Sequence, residues 1–433
     1  MELKTCPNCE RKVLSLITDN ASGKRYCYNC IPNPESCPGA VFVARKMDVL
    51  HAAGKLESYT VEQRLKDLND PPRCECGAVL DVVDGKLCSK CKAEATTEEA
   101  AKNEKGRIEG DVGPALLDFV FKEMQIDTQW SVRDGRTLTW WGHQQAQRIW
   151  AEPVRLDGGD EIVRVHARTD VLRNVPDDPR TAKGLSALNM NASLSAYVWD
   201  RKSRRVALQC SAYFHTQNIA WLRRFFVSAV AIQAAEAHIQ PDTIAKLIGG
   251  EPDLSSHPKN GARLTMDEML DIIAVLFAPQ GSGTSAFTSA DFEAVMRLSP
   301  APWVMANASD DGLTAEFPFP GCMPPTALLT ATNSGRHPRF GSGLLVLLKL
   351  PLGSEGMDLQ ALAHKLNAAE MSDWTRCHFM GAWCVDPDQN VPTYCCFFPS
   401  ALRNPGLLEN CVYSIAHRVR WANDYSLVSG RSP

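Results

Sequence analysis

The chain has 433 residues, which predicts two to four domains, and 44% apolar residues are enough for real cores. A net charge of −4 with 22% charged residues argues against a strongly basic nucleic-acid binder or an acidic solvating tail. The N-terminal MELKTCPNCE has no apolar core of a secretory signal, and runs such as 225–235 and 344–348 are too short to span a bilayer, so a soluble, cytoplasmic chain with no membrane partner is expected.

Nine of the 16 cysteines fall within the first 91 residues, eight of them in close pairs. Cys6-Pro-Asn-Cys9 and Cys27-Tyr-Asn-Cys30 lie 17 residues apart, and the stretch between reads as a hairpin with its turn at 19–23. Two such pairs supply four thiolates, a tetrahedral donor set that suits zinc and leaves no open position for water. Cys74-Glu-Cys76 and Cys88-Ser-Lys-Cys91 repeat the arrangement around a shorter hairpin, Ala78 to Val83 returning at Lys86-Leu87. The expectation is two structural Zn2+ sites: zinc ribbon 1 over 1–40 and zinc ribbon 2 over 73–92. Cys37 has no partner at ligand spacing and reads as a free thiol. The connector, 41–72, is predicted helical, with Val61, Leu65 and Leu68 on one face and Thr60 as its cap. Lys4, Arg11, Lys12, Lys24 and Arg25 make only a modest basic patch, so a solvated face outweighs nucleic-acid binding there. Residues 93–112 form a charged linker without aromatics.

From 113 onward the same order of elements occurs twice, over 113–240 and 286–433, with a helical connector at 241–285 between. Each copy opens with a helix and a tryptophan, Trp130 and Trp303. Strands follow, then a short helix ending in Leu-Asn at Asn189 and Asn367. A hairpin comes next, with Trp199 set against Trp383, and a long apolar helix closes each copy. The fold class is therefore α+β: zinc ribbons followed by two α-β-β(β)-α-β-β-α domains with antiparallel sheets. The closing helices carry apolar residues on more than one face, which predicts that the copies pack on each other as an intramolecular pseudo-dimer.

This order resembles the YbjN family and the related fold of type III secretion chaperones. The resemblance implies a small α+β domain that binds other proteins, commonly as a dimer. The zinc ribbons are a departure from it.

Phosphate loops, nucleophile elbows and His-Glu metal motifs are absent from the sequence. His143, His166 and His215 with Cys210, and Cys377, Cys384, Cys395 and Cys396, read as core or surface residues rather than as catalytic or redox groups. No catalytic and no cofactor-binding residue is assigned. The first reading is a non-catalytic protein-binding adaptor or chaperone-like protein. The second is a zinc-ribbon nucleic-acid-associated regulator. The third is an enzyme of unrecognised class using the groove between the copies.

Overall fold

The computed structural model describes residues 3–10, 12–19, 22–28, 30–32, 36–52, 55–74, 78–80, 112–157, 160–239, 241–276, 284–352, 357–375 and 377–429. The chain divides into two compact units, Met1–Arg107 and Ile108–Pro433. No helix among the described residues is long and apolar enough to cross a membrane.

In the first unit, β1 (Lys4–Thr5) pairs with β2 (Lys12–Val13), and β3 (Ile17–Thr18) pairs with β4 (Arg25–Tyr26). The stretch expected as one hairpin thus contributes strands to two small hairpins. Asp19 accepts from the Ser22 backbone at 2.9 Å, and Gly23 takes the left-handed φ of 69° that the second turn requires. Helices α1 (Pro38–Ala52) and α2 (Val61–Asn69) follow. Thr60 caps α2 through a capping box with Gln63, as its sequence position predicts. The connector is more than a spacer, because Leu14 packs against Met47 and Tyr59. The face of α2 differs from expectation. Val61, Leu65 and Leu68 are exposed, and α2 meets α1 through polar groups instead. Buried Asp67 takes Lys46 at 2.8 Å and the Tyr59 hydroxyl at 2.7 Å.

The second unit opens with α3 (Val112–Glu123), then β5 (Ser131–Asp134), β6 (Thr137–Trp141), β7 (Ala146–Ala151), β8 (Arg155–Asp157), β9 (Asp160–Arg173), α4 (Pro179–Met190), β10 (Ala196–Asp200), β11 (Arg205–Phe214) and α5 (Ile219–Ile239). A connecting stretch holds α6 (Pro241–Ile248), β12 (Glu251–Pro252) and α7 (Glu268–Leu276). Then come α8 (Ser289–Met296), β13 (Met305–Ser309), β14 (Gly312–Pro318), β15 (Thr326–Thr332), β16 (Arg336–His337), β17 (Gly341–Lys349), α9 (Leu359–Ser372), β18 (Ala382–Asp386), β19 (Val391–Pro399) and α10 (Leu407–Ser429). More strands precede the middle helices than the sequence pattern suggested, β7 being the clearest addition.

Both sheets are antiparallel. The first runs β10-β11-β9-β7-β6-β5 and the second β18-β19-β17-β15-β14-β13, with β8 and β12 paired to β9 and β16 to β17. One apolar core extends over both, including Trp140, Phe226, Phe317 and Trp383. Polar side chains fix the helices on the sheets. Asn189 holds Tyr197 by both backbone groups, at 3.0 and 2.8 Å, and Asn367 holds Trp383 the same way, at 2.8 and 2.7 Å. The hairpin turns match as well. Asp200 and Asp386 each accept from the amides two and three residues on, and Arg204 and Asn390 share a left-handed φ. By this alignment Tyr197, not Trp199, stands opposite Trp383. The tryptophans lie on corresponding strands but two positions out of step, because the loop before β18 is longer.

The sheets meet through reciprocal hydrogen bonds. Ser211 and Phe379 exchange backbone bonds at 2.9 and 2.8 Å, and the Phe397 amide donates to the Ser193 carbonyl at 3.2 Å. Ser193 stands to β10 as Phe379 stands to β18, and Ser211 to β11 as Phe397 to β19. Side chains reinforce the contact: Ser193 donates to the Phe397 carbonyl at 2.9 Å, and Ser186 accepts from the Val385 amide at 2.9 Å.

Candidate metal centre

Cys6 and Cys9 sit in the turn joining β1 to β2, and Cys27 and Cys30 in the turn after β4. The turns are set by the backbone: the Glu10 amide returns to the Cys6 carbonyl at 2.9 Å, the Cys30 amide to the Cys27 carbonyl at 3.0 Å. Both loops converge, so that the four Sγ atoms lie within 4.8 Å of one another. Cys9 and Cys27 sulfurs are 3.7 Å apart. That is far beyond a disulfide bond of about 2.05 Å. It matches the edge of about 3.8 Å that a tetrahedron with metal–sulfur distances of about 2.3 Å requires. The Cys27 amide points at Cys6 Sγ at 3.4 Å. That amide, with those of Asn8 and Cys9, outweighs burial and lowers the Cys6 thiol to about 6. An anionic sulfur is the form that ligates a metal. Four cysteines here can hold a metal ion.

Of the second set only Cys74 is described. It is buried, and its amide donates to the Ala78 carbonyl at 2.8 Å, with Arg73 bridged to Val79. Cys76, Cys88 and Cys91 lie outside the described residues. Cys37 packs beside Ile17, Ile31 and Ala44, away from the sulfur cluster.

The remaining candidates are dispersed. His166 Nε2–H donates to the Glu152 carboxylate at 2.7 Å and the ring stacks on Trp150, whereas Cys210 on the neighbouring strand faces the other side, toward Gln233. Burial pushes the Cys210 thiol up to about 12, so it is no nucleophile at neutral pH. His143 lies against His238 instead. Cys377, Cys384 and Cys395 are buried, and each thiol donates to a backbone carbonyl: those of Thr375, Thr393 and Met190. Among the described residues, the first cysteine set alone brings three or more such ligand atoms together. No protein-family model matches this chain. No curated protein and no solved structure matches it at a significant level either.

Sequence reasoning missed the buried charges where the sheets meet. Arg418 of α10 bonds Glu370 of α9 at 2.7 Å, and Trp383 donates to the same carboxylate at 2.7 Å. Arg418 also lies over the Tyr394 ring, 3.8 Å from its centre. From the first sheet, Arg164 reaches the Asp373 carbonyl at 2.9 Å at the end of α9. Such groups resemble surface charges in sequence. Only their spacing on otherwise apolar helix faces sets them apart.

Glu236 is the second case. It is buried on α5, accepts from Ser195 at 3.1 Å, and has Arg339 at 3.5 Å. Burial raises its carboxyl to about 7, and Arg339 and Ser195 offset this only in part. A carboxyl raised in the fold favours folding only while it keeps its proton. The second unit should therefore lose stability as pH rises from about 4.5 to about 7, with no further change from this group above that range. At about 1.4 kcal/mol per pH unit the loss is roughly 3 kcal/mol at most. Urea unfolding at several pH values checks this. Glu236→Gln should flatten the curve, and an unchanged slope in that variant would remove Glu236 as its source.

Proposed function

We propose that this chain is a non-catalytic protein-binding adaptor, with structural zinc in its first unit and two copies of one α+β domain in its second. The preference for zinc comes from the donor set: four thiolates at tetrahedral spacing suit a redox-inert ion that closes its own coordination sphere. The duplication is supported by the matching strand orders, the paired Asn189 and Asn367 clamps and the reciprocal bonds between the sheets. Reciprocity, with residue i meeting j while the equivalent of j meets the equivalent of i, is the signature of a twofold contact. The YbjN-like and secretion-chaperone-like reading rests on this element order and on the resulting internal pair.

The observation that carries the binding role is the outer edge of the second sheet. β13 reads Met-Ala-Asn-Ala-Ser, without charge or proline, and its Met305 and the preceding Val304 are exposed. Natural edge strands are usually blunted by charge, proline or brevity. The corresponding edge strand β5 carries Arg133 and Asp134. Ser309 and Gly312 close a two-residue turn as a hydrogen-bonded pair, so strand alternation directs the Asn307 amide at β14 and turns the Ala306 amide outward. A partner adding an extended segment to this edge would use that amide.

Ala306→Pro tests the reading, since it removes the outward donor and spares the bonds to β14. A tagged chain from its native cell should retain a protein partner that the variant loses while its circular dichroism is unchanged. A partner kept by the variant would sink the edge assignment. Recovery of DNA or RNA, released by salt, would favour the second reading.

A further inference from the structure

The four cysteines of the first unit are not equivalent, and the difference orders their chemistry. Cys6 and Cys27 are buried, Cys30 is half-buried and Cys9 is exposed. The amides of Cys27, Asn8 and Cys9 all serve the Cys6 sulfur, that of Cys27 at 3.4 Å. Such bonds stabilise the charge on a sulfur and so lower its nucleophilicity. Cys6 is therefore shielded twice, by burial and by its donors. A ligating cysteine is held as the thiolate, the form that oxidants attack, and attack follows exposure. Cys9 is thus the sulfur that a dissolved oxidant meets first.

Distance selects the second sulfur. Cys27 Sγ lies 3.7 Å from Cys9 Sγ, so an approach of roughly 1.7 Å completes a disulfide. Cys9 sits in the turn joining β1 to β2, whereas Cys27 follows β4. A bond between them ties the two loops together. A bond inside either Cys-x2-Cys pair would leave the loops unlinked. Cys37 packs beside Ile17 and Ile31, away from this cluster.

We propose, building on the zinc reading above, that Cys9 is a peroxide-sensing thiolate with Cys27 as its resolving partner, so that oxidation exchanges the zinc of the first unit for a Cys9–Cys27 disulfide. The Cys9 thiolate attacks one oxygen of hydrogen peroxide, the O–O bond breaks and hydroxide leaves, giving a sulfenic acid. The Cys27 thiolate attacks the Cys9 sulfur, the S–O bond breaks and a second hydroxide leaves. Two thiolates give up two electrons, and the peroxide takes them. Cys6 and Cys30 are the ligands left in this set, too few to close a tetrahedral site, and Zn2+ is released. A dithiol reductant reverses the disulfide and restores the four-sulfur set, with the loops kept in register by the bond just broken.

Peroxide titration of the full-length, zinc-loaded protein tests this. Released zinc is read with a chromogenic chelator, and disulfides are mapped by mass spectrometry after alkylation. A Cys9–Cys27 disulfide is expected to grow in step with release of one equivalent of zinc. Dithiothreitol with added zinc should return both to the start. Cys9→His keeps four donors, since Cys3His is a common structural zinc set. It should load with zinc and release that equivalent more slowly than the natural chain, by roughly tenfold or more, because the exposed thiolate is gone. Where that variant does not load, the disulfide map of the natural chain decides. Cys37→Ser should release zinc as the natural chain does. A Cys6–Cys9 or Cys27–Cys30 disulfide in place of Cys9–Cys27, equal release from a loaded Cys9→His chain, or protection by Cys37→Ser would each overturn the proposal. The zinc reading fails separately. A chain purified without zinc removes that reading and the switch with it, whereas a loaded chain that keeps its zinc and its reduced cysteines under peroxide overturns the switch alone.

Discussion

Stripping the metal should unfold the first unit and leave the second standing. The described hairpins of the first unit are two residues per strand, and the apolar cluster at the sulfurs is Cys6, Val13 and Cys27. So small a core does not hold itself together, and structural zinc supplies apparent binding free energies of about 10–16 kcal/mol in comparable small sites. Cys27→Ser leaves three thiolates while sparing the residue 27 amide that supports Cys6, so it should abolish high-affinity metal at this site. Metal analysis of the pure natural chain is expected to give two zinc ions, with Cys74, Cys76, Cys88 and Cys91 holding the other. A value well under one would end the zinc reading for both sets. Hydrogen exchange after chelation should show protection lost in residues 3–69 and kept in 112–429.

Breaking the buried pair of α9 and α10 should cost the second unit most of its margin. Glu370 is fully buried and Arg418 nearly so. Arg418→Met leaves the Glu370 carboxyl with Trp383 as its remaining side-chain donor and no counter-ion at contact distance among the described residues. Losing one partner of a buried pair costs about 3–5 kcal/mol, against a total stability of about 5–15 kcal/mol for a domain. Removing both charges is a different matter. Arg418→Met with Glu370→Leu should recover most of the loss, because no uncompensated ion is left behind. Urea midpoints of the natural chain, both single variants and the double variant close this cycle. A double variant as weak as Arg418→Met alone would show that the guanidinium acts mainly by packing on Tyr394.

The legible parts of the sequence were those where one local pattern decides the outcome. Cys6, Cys9, Cys27 and Cys30 announce their convergence because thiolate pairs at that spacing have few other uses. Thr60 announces a cap because its place before the helix alone settles it. β7 was not legible. Its Ala-Gln-Arg-Ile-Trp-Ala lacks a clear alternation, since Gln147 is buried and donates to the Val230 carbonyl of α5 at 2.8 Å. The face of α2 misled for a related reason: buried Asp67 looks like a surface acid until Lys46 and Tyr59 are seen around it. Trp199 and Trp383 were paired by residue type, whereas the register is set by the Asn189 and Asn367 clamps and a loop of different length. The inequality of the four cysteines was beyond reach, because spacing does not say that Cys9 is exposed while Cys6 and Cys27 are buried.

The bonds between Ser211 and Phe379, and from Phe397 to Ser193, bear on how the chain is made. Until residue 397 has emerged from the ribosome, the first sheet has no partner for these groups, and Phe225 has no Phe398 to meet. The first half must therefore wait, through the synthesis of the whole connector and most of the second half, with an open strand edge and an uncovered apolar helix. Such a nascent intermediate is the kind of species that holding chaperones protect and that aggregates without them. Slow or interrupted translation across residues 241–397 would lengthen that wait.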